Sequence, residues 1–162
     1  MNRQDGLDAL LAVSPVIPVL TIDSASDAVP LARALIEGGV GVVEVTLRTK
    51  AAMAAASRVP FLPGAATPTE VLHLLEAGFR YQKFFPAEQA GGIPMLKAIG
   101  APIHEVTFCP TGGITPASAP DYLALANVIC VGGSWLTPAD LLRAGDWRAI
   151  SARAAAAAAL RR

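Results

Sequence analysis

The chain has 162 residues, of which 53% are hydrophobic and 16% are charged, and its 13 basic groups balance its 13 acidic groups. A disordered chain would have few apolar residues and a large net charge, so this composition excludes disorder. The zero net charge argues against a nucleic acid or an acidic membrane surface as partner, because neither half of the chain carries the basic stripe that such partners require. We expect a single compact, soluble domain over residues 1–162, of the α/β or all-α class.

The N-terminal segment lacks the pattern of a secretory signal peptide. Asp5 and Asp8 precede a short apolar run that Pro15 and Pro18 interrupt. No stretch approaches the roughly 18 consecutive apolar residues of a membrane span. We therefore expect a cytoplasmic protein with no membrane partner.

Short apolar runs rich in β-branched residues alternate with helical patterns along the chain. They predict six strands, over Val16–Leu20, Val42–Leu47, Val59–Pro63, Tyr81–Phe85, Glu105–Cys109 and Val128–Gly132. Five helices are predicted over Ser26–Glu37, Pro68–Ala77, Ile93–Ile99, Pro116–Leu125 and Trp147–Leu160. Thr67 and Thr115, each followed by a proline, are expected to cap two of these helices. The alternation indicates parallel strands with helical crossovers, in an open sheet or a barrel.

One interval between predicted strands is too short. Only ten residues run from Thr49 to Arg58, whereas a crossover that includes a helix needs at least about 10–12 residues. An eight-stranded barrel needs about 200 residues or more, and this chain has fewer residues and only six predicted strands. Part of a barrel is therefore expected to be missing after the second strand.

The second predicted strand has a charged face. In the alternating run from Val42 to Thr49, the side chains of Glu44, Thr46 and Arg48 share one side. Burying a carboxylate, a hydroxyl and a guanidinium together would be costly if that side were only core. Two interpretations stay open: an ion pair at the end of a barrel, or a polar wall of an active site.

A lone lysine lies between aromatic residues on the fourth predicted strand, with Tyr81 and Phe85 on the same face as Lys83. A buried ammonium needs a partner or must lose its proton, and a neutral lysine amine can attack a carbonyl to form a Schiff base. The alternative is a lysine whose ammonium reaches solvent at the sheet edge. If Glu44 lies in the same sheet, a nucleophile with a general acid/base is the better interpretation.

Two pairs of glycines end the last two predicted strands. Gly112 and Gly113 follow the fifth strand, and Gly132 and Gly133 end the sixth, just before Ser134. Paired glycines let backbone N–H groups approach an anion closely, although glycines also simply mark turns. Loops after the last two strands are the usual phosphate site of α/β barrels, so the two pairs together favour a phosphate site.

The sequence offers no pattern for a metal site. Cys109 and Cys130 lie in apolar runs, where free thiols behave as small hydrophobic groups. No CxxC motif or paired histidines are present, since His73 and His104 are the only histidines. We expect no metal and no disulfide framework.

Several segments resemble the class I aldolases that cleave 2-keto-3-deoxy-6-phosphogluconate (KDPG) and 4-hydroxy-2-oxoglutarate (KHG). They are PVIPVLTI, GGVGVVEVTLRT, VPFLPGAATPTE, KFFPAE, FCPTGGITP and VGGSWL, in the family's order from Pro15 to Leu136. The resemblance implies a TIM-barrel-type (β/α) fold, with Lys83 as the Schiff-base lysine and Glu44 as the acid/base carboxylate. It places Arg48 near the pyruvate carboxylate and implies substrate and phosphate contacts by Phe85, Thr111, Gly112, Gly113, Gly133 and Ser134. The implied reaction needs no metal or organic cofactor.

The chain also departs from this family. Its members carry a GAGT motif and a strand that ends in SPG, and neither is present between Thr49 and Val59. The resemblance therefore implies an α/β barrel truncated to about six parallel strands, with an internal deletion near residues 50–58 that removes about two βα units. A natural truncation, an engineered one and a stretch omitted from the sequence all stay open.

Two functions from different classes follow. The first is an aldolase that releases pyruvate from a phosphorylated 2-keto sugar acid, or from KHG with glyoxylate. The second is a non-catalytic remnant that keeps phosphate-ligand binding or has a structural role in an oligomer. A magnesium-dependent synthase would need several acidic ligands at strand ends, where only Glu44 fits. Open sheet edges favour a homo-oligomer, and the resemblance implies a trimer.

Overall fold

Strands and helices alternate along the chain in the computed structural model, which describes residue 4 and residues 6–21, 25–45 and 61–160. The helices are α1 (Leu7–Ala12), α2 (Ala25–Glu37), α3 (Pro68–Glu76), α4 (Gly92–Gly100), α5 (Ala119–Leu123), α6 (Ala139–Ala144) and α7 (Trp147–Ala158). The strands are β1 (Val16–Leu20), β2 (Glu44–Val45), β3 (Gly64–Ala65), β4 (Tyr81–Phe84), β5 (Thr107–Pro110) and β6 (Val131–Gly133).

All strand pairs in the described residues are parallel. Strand β1 lies between β2 and β6, and β4 lies between β3 and β5. Two further bridges, Phe108 with Val128 and Thr111 with Gly132, connect the two three-stranded sheets. The strands therefore follow one another in space as β2-β1-β6-β5-β4-β3. This confirms the predicted α/β class with parallel strands.

The third predicted strand is wrong in position. The structure places β3 at Gly64–Ala65, whereas the prediction was Val59–Pro63, of which residues 59 and 60 lie outside the described part. Pro63 has no N–H to donate, so it can take part in the ladder to β4 only through its carbonyl. Its carbonyl accepts from Lys83 N–H at 2.7 Å, and the paired residues follow from Gly64 onward.

One of the two predicted helix caps is confirmed. Thr67 Oγ1 accepts from the backbone N–H of Glu70 at 3.3 Å, and Glu70 Oε2 accepts from the backbone N–H of Thr67 at 2.9 Å. This reciprocal arrangement is a capping box at the start of α3.

The second cap, predicted at Thr115, is wrong, because α5 begins only at Ala119. Thr115 Oγ1 accepts from Ser118 N–H at 3.2 Å, and Ser118 Oγ accepts from Thr115 N–H at 3.0 Å. These bonds close a turn ahead of the helix, which serine and threonine hydroxyls do readily. The short helices α1 and α6 were not predicted at all.

The C-terminal helix closes one side of the structure against α2. Gly38, directly after α2, allows the close approach, because a Cβ there would lie only 2.4 Å from Ala154 Cβ and 2.5 Å from the Ser151 carbonyl oxygen. Helix α7 contributes Ala154 and Ala157 to the main core, where both are buried. Small side chains on both helices thus set this packing distance.

A smaller buried cluster lies beneath α1. Its members are Leu7, Leu11, Ile17, Cys109 and Cys130. Gln4 ties this segment to the start of β4, since it accepts from Arg80 N–H at 2.6 Å and donates to the Tyr81 carbonyl at 2.8 Å. Helix α1 is therefore held near the amino end of β4, away from the residues that follow the strands. None of the helices in the described part of the chain has the length and apolar character needed to cross a bilayer.

Candidate active site

The predicted site residues of the described part collect where the parallel strands end. Glu44 lies in β2 and Lys83 near the end of β4, while one glycine pair follows β5 after Thr111 and the other ends β6. In α/β barrels the loops at the carboxyl ends of the strands carry the active site. Arg48, predicted to contact the substrate carboxylate, and its neighbour Thr46 lie outside the described residues.

Lys83 and Glu44 form an ion pair. The Nζ of Lys83 lies 2.5 Å from Oε1 of Glu44, and the two side chains are only 15% and 27% exposed. Along β4 the neighbours Gln82 and Phe84 point to the fully buried side, so alternation directs Lys83 to the opposite side. The two partners lie on different three-stranded sheets. Because two bridges connect these sheets, both residues belong to one continuous run of strands, and the pair spans the space between the non-neighbouring strands β2 and β4.

Phe85 lies between the lysine and the first glycine pair. Its ring centroid is 5.4 Å from Lys83 Nζ, a distance at which the ring face attracts a cation. The ring is also so close to Gly112 that a Cβ there would lie 3.2 Å from it. Phe85 is 52% exposed, which leaves its remaining surface free to touch a ligand.

The loop after β5 requires glycine. Gly112 and Gly113 have φ values of +102° and +78°, a region that side-chain-bearing residues rarely adopt. Within the described part of the chain, the N–H groups of Gly113 and Ile114 donate to no hydrogen-bond acceptor. Successive free N–H groups in such a turn make a concave site for an anion.

The glycines of β6 are required for a different reason. A Cβ on Gly132 would lie 2.2 Å from Thr111 Oγ1, and one on Gly133 would overlap the ring of Trp135. Thr111 is 5% exposed, and its N–H donates to the Phe84 carbonyl at 2.9 Å. The absence of a side chain at Gly132 thus lets the β5 and β6 ends approach closely. Ser134, the next residue, is exposed at this edge.

The sequence analysis missed one polar pair at the site. Tyr122 OH donates to Glu88 Oε1 at 2.8 Å, and the Tyr122 side chain is buried at 1% exposure. Burial raises the pKa of Tyr122 well above its ordinary value, and the hydrogen bond to Glu88 and the charge of that carboxylate raise it further. Glu88 belongs to the KFFPAE segment, but no local pattern connects it to a tyrosine 34 residues away.

A lysine paired with a carboxylate, at the strand ends of a parallel α/β fold, defines a site suited to Schiff-base chemistry on carbonyl substrates. A family model for the KDPG and KHG aldolases matches residues 7–59 and 53–153. The KHG/KDPG aldolase of Escherichia coli (strain K12) is 36% identical over 199 residues, which cover 93% of this chain and 93% of the relative. The 2-dehydro-3-deoxy-phosphogluconate aldolase of Pseudoalteromonas atlantica is 39% identical over 186 residues, with 85% and 86% covered. The chain therefore belongs to the KDPG and KHG aldolase family of class I aldolases.

Solved structures show the same relation. The crystal structure of a KDPG aldolase from Legionella pneumophila has a TM-score of 0.87 and 36% identity to this chain. It covers 94% of this chain and 98% of that one, and it holds pyruvate captured at low pH as a covalent carbinolamine. This likeness places the fold in the TIM-barrel-like class.

The match to the family is interrupted at one place. The two segments matched by the family model meet and overlap at residues 53–59. The region aligned with the E. coli enzyme is 199 positions long, 37 more than the 162 residues of this chain. Some positions of that relative therefore have no counterpart here.

Proposed function

We propose that the chain is a Schiff-base aldolase that cleaves KDPG to pyruvate and glyceraldehyde 3-phosphate, and KHG to pyruvate and glyoxylate. The observation that carries this proposal is the 2.5 Å contact between Lys83 Nζ and Glu44 Oε1. At that distance the Glu44 carboxylate can accept the ammonium proton, which leaves Lys83 with the free amine that attacks a carbonyl.

The reaction proceeds through an imine on Lys83. The amine adds to the C2 carbonyl of the substrate, and the resulting carbinolamine loses water, with a proton from Glu44, to give a protonated imine. Removal of the proton from the C4 hydroxyl breaks the C3–C4 bond, and its electron pair moves to C3 and into the imine. The aldehyde leaves, C3 of the enamine takes a proton, and hydrolysis releases pyruvate. Because the imine is itself the electron sink, this sequence needs no metal or organic cofactor.

We assign the substrate phosphate to the loops at the ends of β5 and β6. The free N–H groups of Gly113 and Ile114 and the exposed Ser134 hydroxyl suit the oxygens of a phosphate. Thr111 follows β5 directly and donates its N–H to the Phe84 carbonyl of β4, and we assign its hydroxyl to the reacting end of the substrate. Arg48 is assigned to the pyruvate carboxylate by resemblance alone.

We further propose that this chain lacks about two βα units of the family barrel and assembles as a homo-oligomer. The interruption of the family match at residues 53–59 supports the first part. Among the described residues β2 and β3 each pair with only one neighbour, and exposed edges of this kind favour association. Light scattering coupled to gel filtration should give an oligomer, and a trimer if the family's assembly is kept. A monomer at micromolar concentration would contradict this proposal.

Turnover with two lysine variants tests the aldolase proposal. Purified protein should release pyruvate from KDPG and from KHG, and Lys83→Met should abolish release from both. Lys97→Met is the matched control, because Lys97 is an exposed residue of α4 away from the strand ends. If the wild-type protein releases no pyruvate but binds a phosphorylated ligand, the remnant function replaces the aldolase.

A further inference from the structure

A negatively charged side chain lies beside the loop assigned to the substrate phosphate. The hydrocarbon part of Glu88 packs in front of Gly113, where a Cβ would lie 2.7 Å from Glu88 Cγ and 2.8 Å from its Cβ. The backbone of the same segment is bonded to the loop, since Glu88 N–H donates to the Gly112 carbonyl at 3.1 Å. A carboxylate so close to a phosphate site would repel the ligand or occupy the free N–H groups itself.

Tyr122 controls where this carboxylate points. Its hydroxyl donates to Glu88 Oε1 at 2.8 Å, and its ring is fixed in the buried core. Gly92, at the start of α4, makes room for the pair, because a Cβ there would lie 3.0 Å from the tyrosine oxygen and 3.7 Å from Glu88 Oε2. The Glu88 stem therefore supports Gly113 while its charged end is held at Tyr122.

We propose that Tyr122 is a positioning residue for phosphate binding, which keeps the Glu88 carboxylate away from the N–H groups of Gly113 and Ile114. This inference rests on the phosphate site proposed above. The free N–H groups would otherwise attract the neighbouring carboxylate, which would compete with the phosphate of the substrate. The tyrosine leaves those donors vacant for the ligand without removing the side chain that packs against the loop.

The proposed role of Tyr122 predicts that a second substitution, at Glu88, restores ligand binding to a Tyr122 variant. Tyr122→Phe keeps the ring packing and removes the hydroxyl, so the Glu88 carboxylate becomes free to turn toward the loop. The affinity for a phosphorylated ligand should then fall about tenfold, the scale of one unfavourable charge interaction near a protein surface. Adding Glu88→Gln to the tyrosine variant removes the charge but keeps the shape. The double variant should bind the phosphorylated ligand as well as Glu88→Gln alone does.

Calorimetry with 3-phosphoglycerate measures this effect without any turnover. The rate at which borohydride traps pyruvate on the protein is the second measurement, and it needs no phosphate site. A substitution that merely damages the structure would lower this rate as well. Tyr122→Phe should weaken 3-phosphoglycerate binding and leave pyruvate trapping unchanged. Tyr81→Phe is the matched control, because Tyr81 packs in the small cluster beneath α1, and it should change neither measurement.

Three outcomes would overturn the proposal. They are wild-type protein that does not bind 3-phosphoglycerate, a Tyr122→Phe variant that binds it as tightly as wild type, and a double variant that stays weak. A failure of the aldolase proposal looks different, because 3-phosphoglycerate binding and its rescue would persist in a protein that releases no pyruvate.

Discussion

Replacing Glu44 by glutamine isolates the proton transfer that the proposed mechanism requires. Glutamine has the shape of glutamate and can still contact Lys83 Nζ, now 2.5 Å from the carboxylate, but it cannot accept the ammonium proton. The substitution also leaves the 15%-exposed lysine without its counter-ion. Both changes act on the reacting amine, whereas the phosphate loops after β5 and β6 are untouched.

The expected loss can be set from the role of the carboxylate. Proton transfer by a positioned side chain is worth roughly 10²–10⁴-fold in rate, which corresponds to about 3–5 kcal/mol in the activation free energy. We expect kcat for KDPG cleavage to fall by that factor while KM changes little. Pyruvate should still form some trapped adduct in Glu44→Gln, because the lysine remains and only its proton acceptor is lost.

A lactate dehydrogenase-coupled assay of pyruvate release measures this loss. Glu105→Gln is the matched control, since Glu105 is an exposed carboxylate in the loop before β5 and should leave kcat at the wild-type value. If Glu44→Gln retains kcat within about threefold of wild type, Glu44 is not the general acid/base and the reasoning from its contact with Lys83 is refuted.

Two further predictions concern stability. Gly38→Ala would press a methyl group to 2.4 Å from Ala154 Cβ, so overpacking should cost about 1–3 kcal/mol and lower the thermal midpoint by roughly 3–10 °C. A Cβ at Gly64 would lie 3.9 Å from the nearest atom, so Gly64→Ala should lower the thermal midpoint less than Gly38→Ala does. Equal decreases in the thermal midpoint of the two variants would contradict the close packing of α2 on α7. Glu70 accepts hydrogen bonds from the N–H of Ala66 and from Thr67. These bonds, and the one from Ala66 most of all, hold the pKa of Glu70 below its ordinary value. A lowered pKa stabilises the fold above pH 4.5, so the wild type should unfold at a higher temperature than Glu70→Ala there, and that difference should vanish as the pH falls further.

Local signals in the sequence predict the regular parts of the fold well. Strand β1 matches its prediction at both ends, because the branched residues Val16, Ile17 and Val19 strongly favour a strand. The capping box at Thr67 is likewise a local pattern, complete within four residues. The errors occur where several local structures compete. At Thr115 the threonine–proline signal favours a helix start, and only the hydroxyl pairing with Ser118 shows that a turn comes first.

The site could be predicted only as far as residue chemistry and strand alternation reach. Lys83 and Glu44 stand out because charged side chains on apolar strands demand partners, and the structure brings these two together. Their catalytic roles stay predictions. Tyr122 gave no signal, because a tyrosine in an apolar helix is an ordinary core residue, and its contact with Glu88 depends on how α5 packs beside the turn after β4.

Borohydride trapping of pyruvate tests the central claim most directly, because it reports the covalent bond between substrate and nucleophile. We predict that wild-type protein incubated with pyruvate and reductant gains a stable adduct, which peptide mass spectrometry locates on Lys83 and which Lys83→Met abolishes. The modification would also block trypsin cleavage after Lys83 and give a peptide that extends to Lys97. No adduct under conditions that label the E. coli relative, or an adduct on Lys97 instead, would contradict the assignment of Lys83 as the Schiff-base lysine.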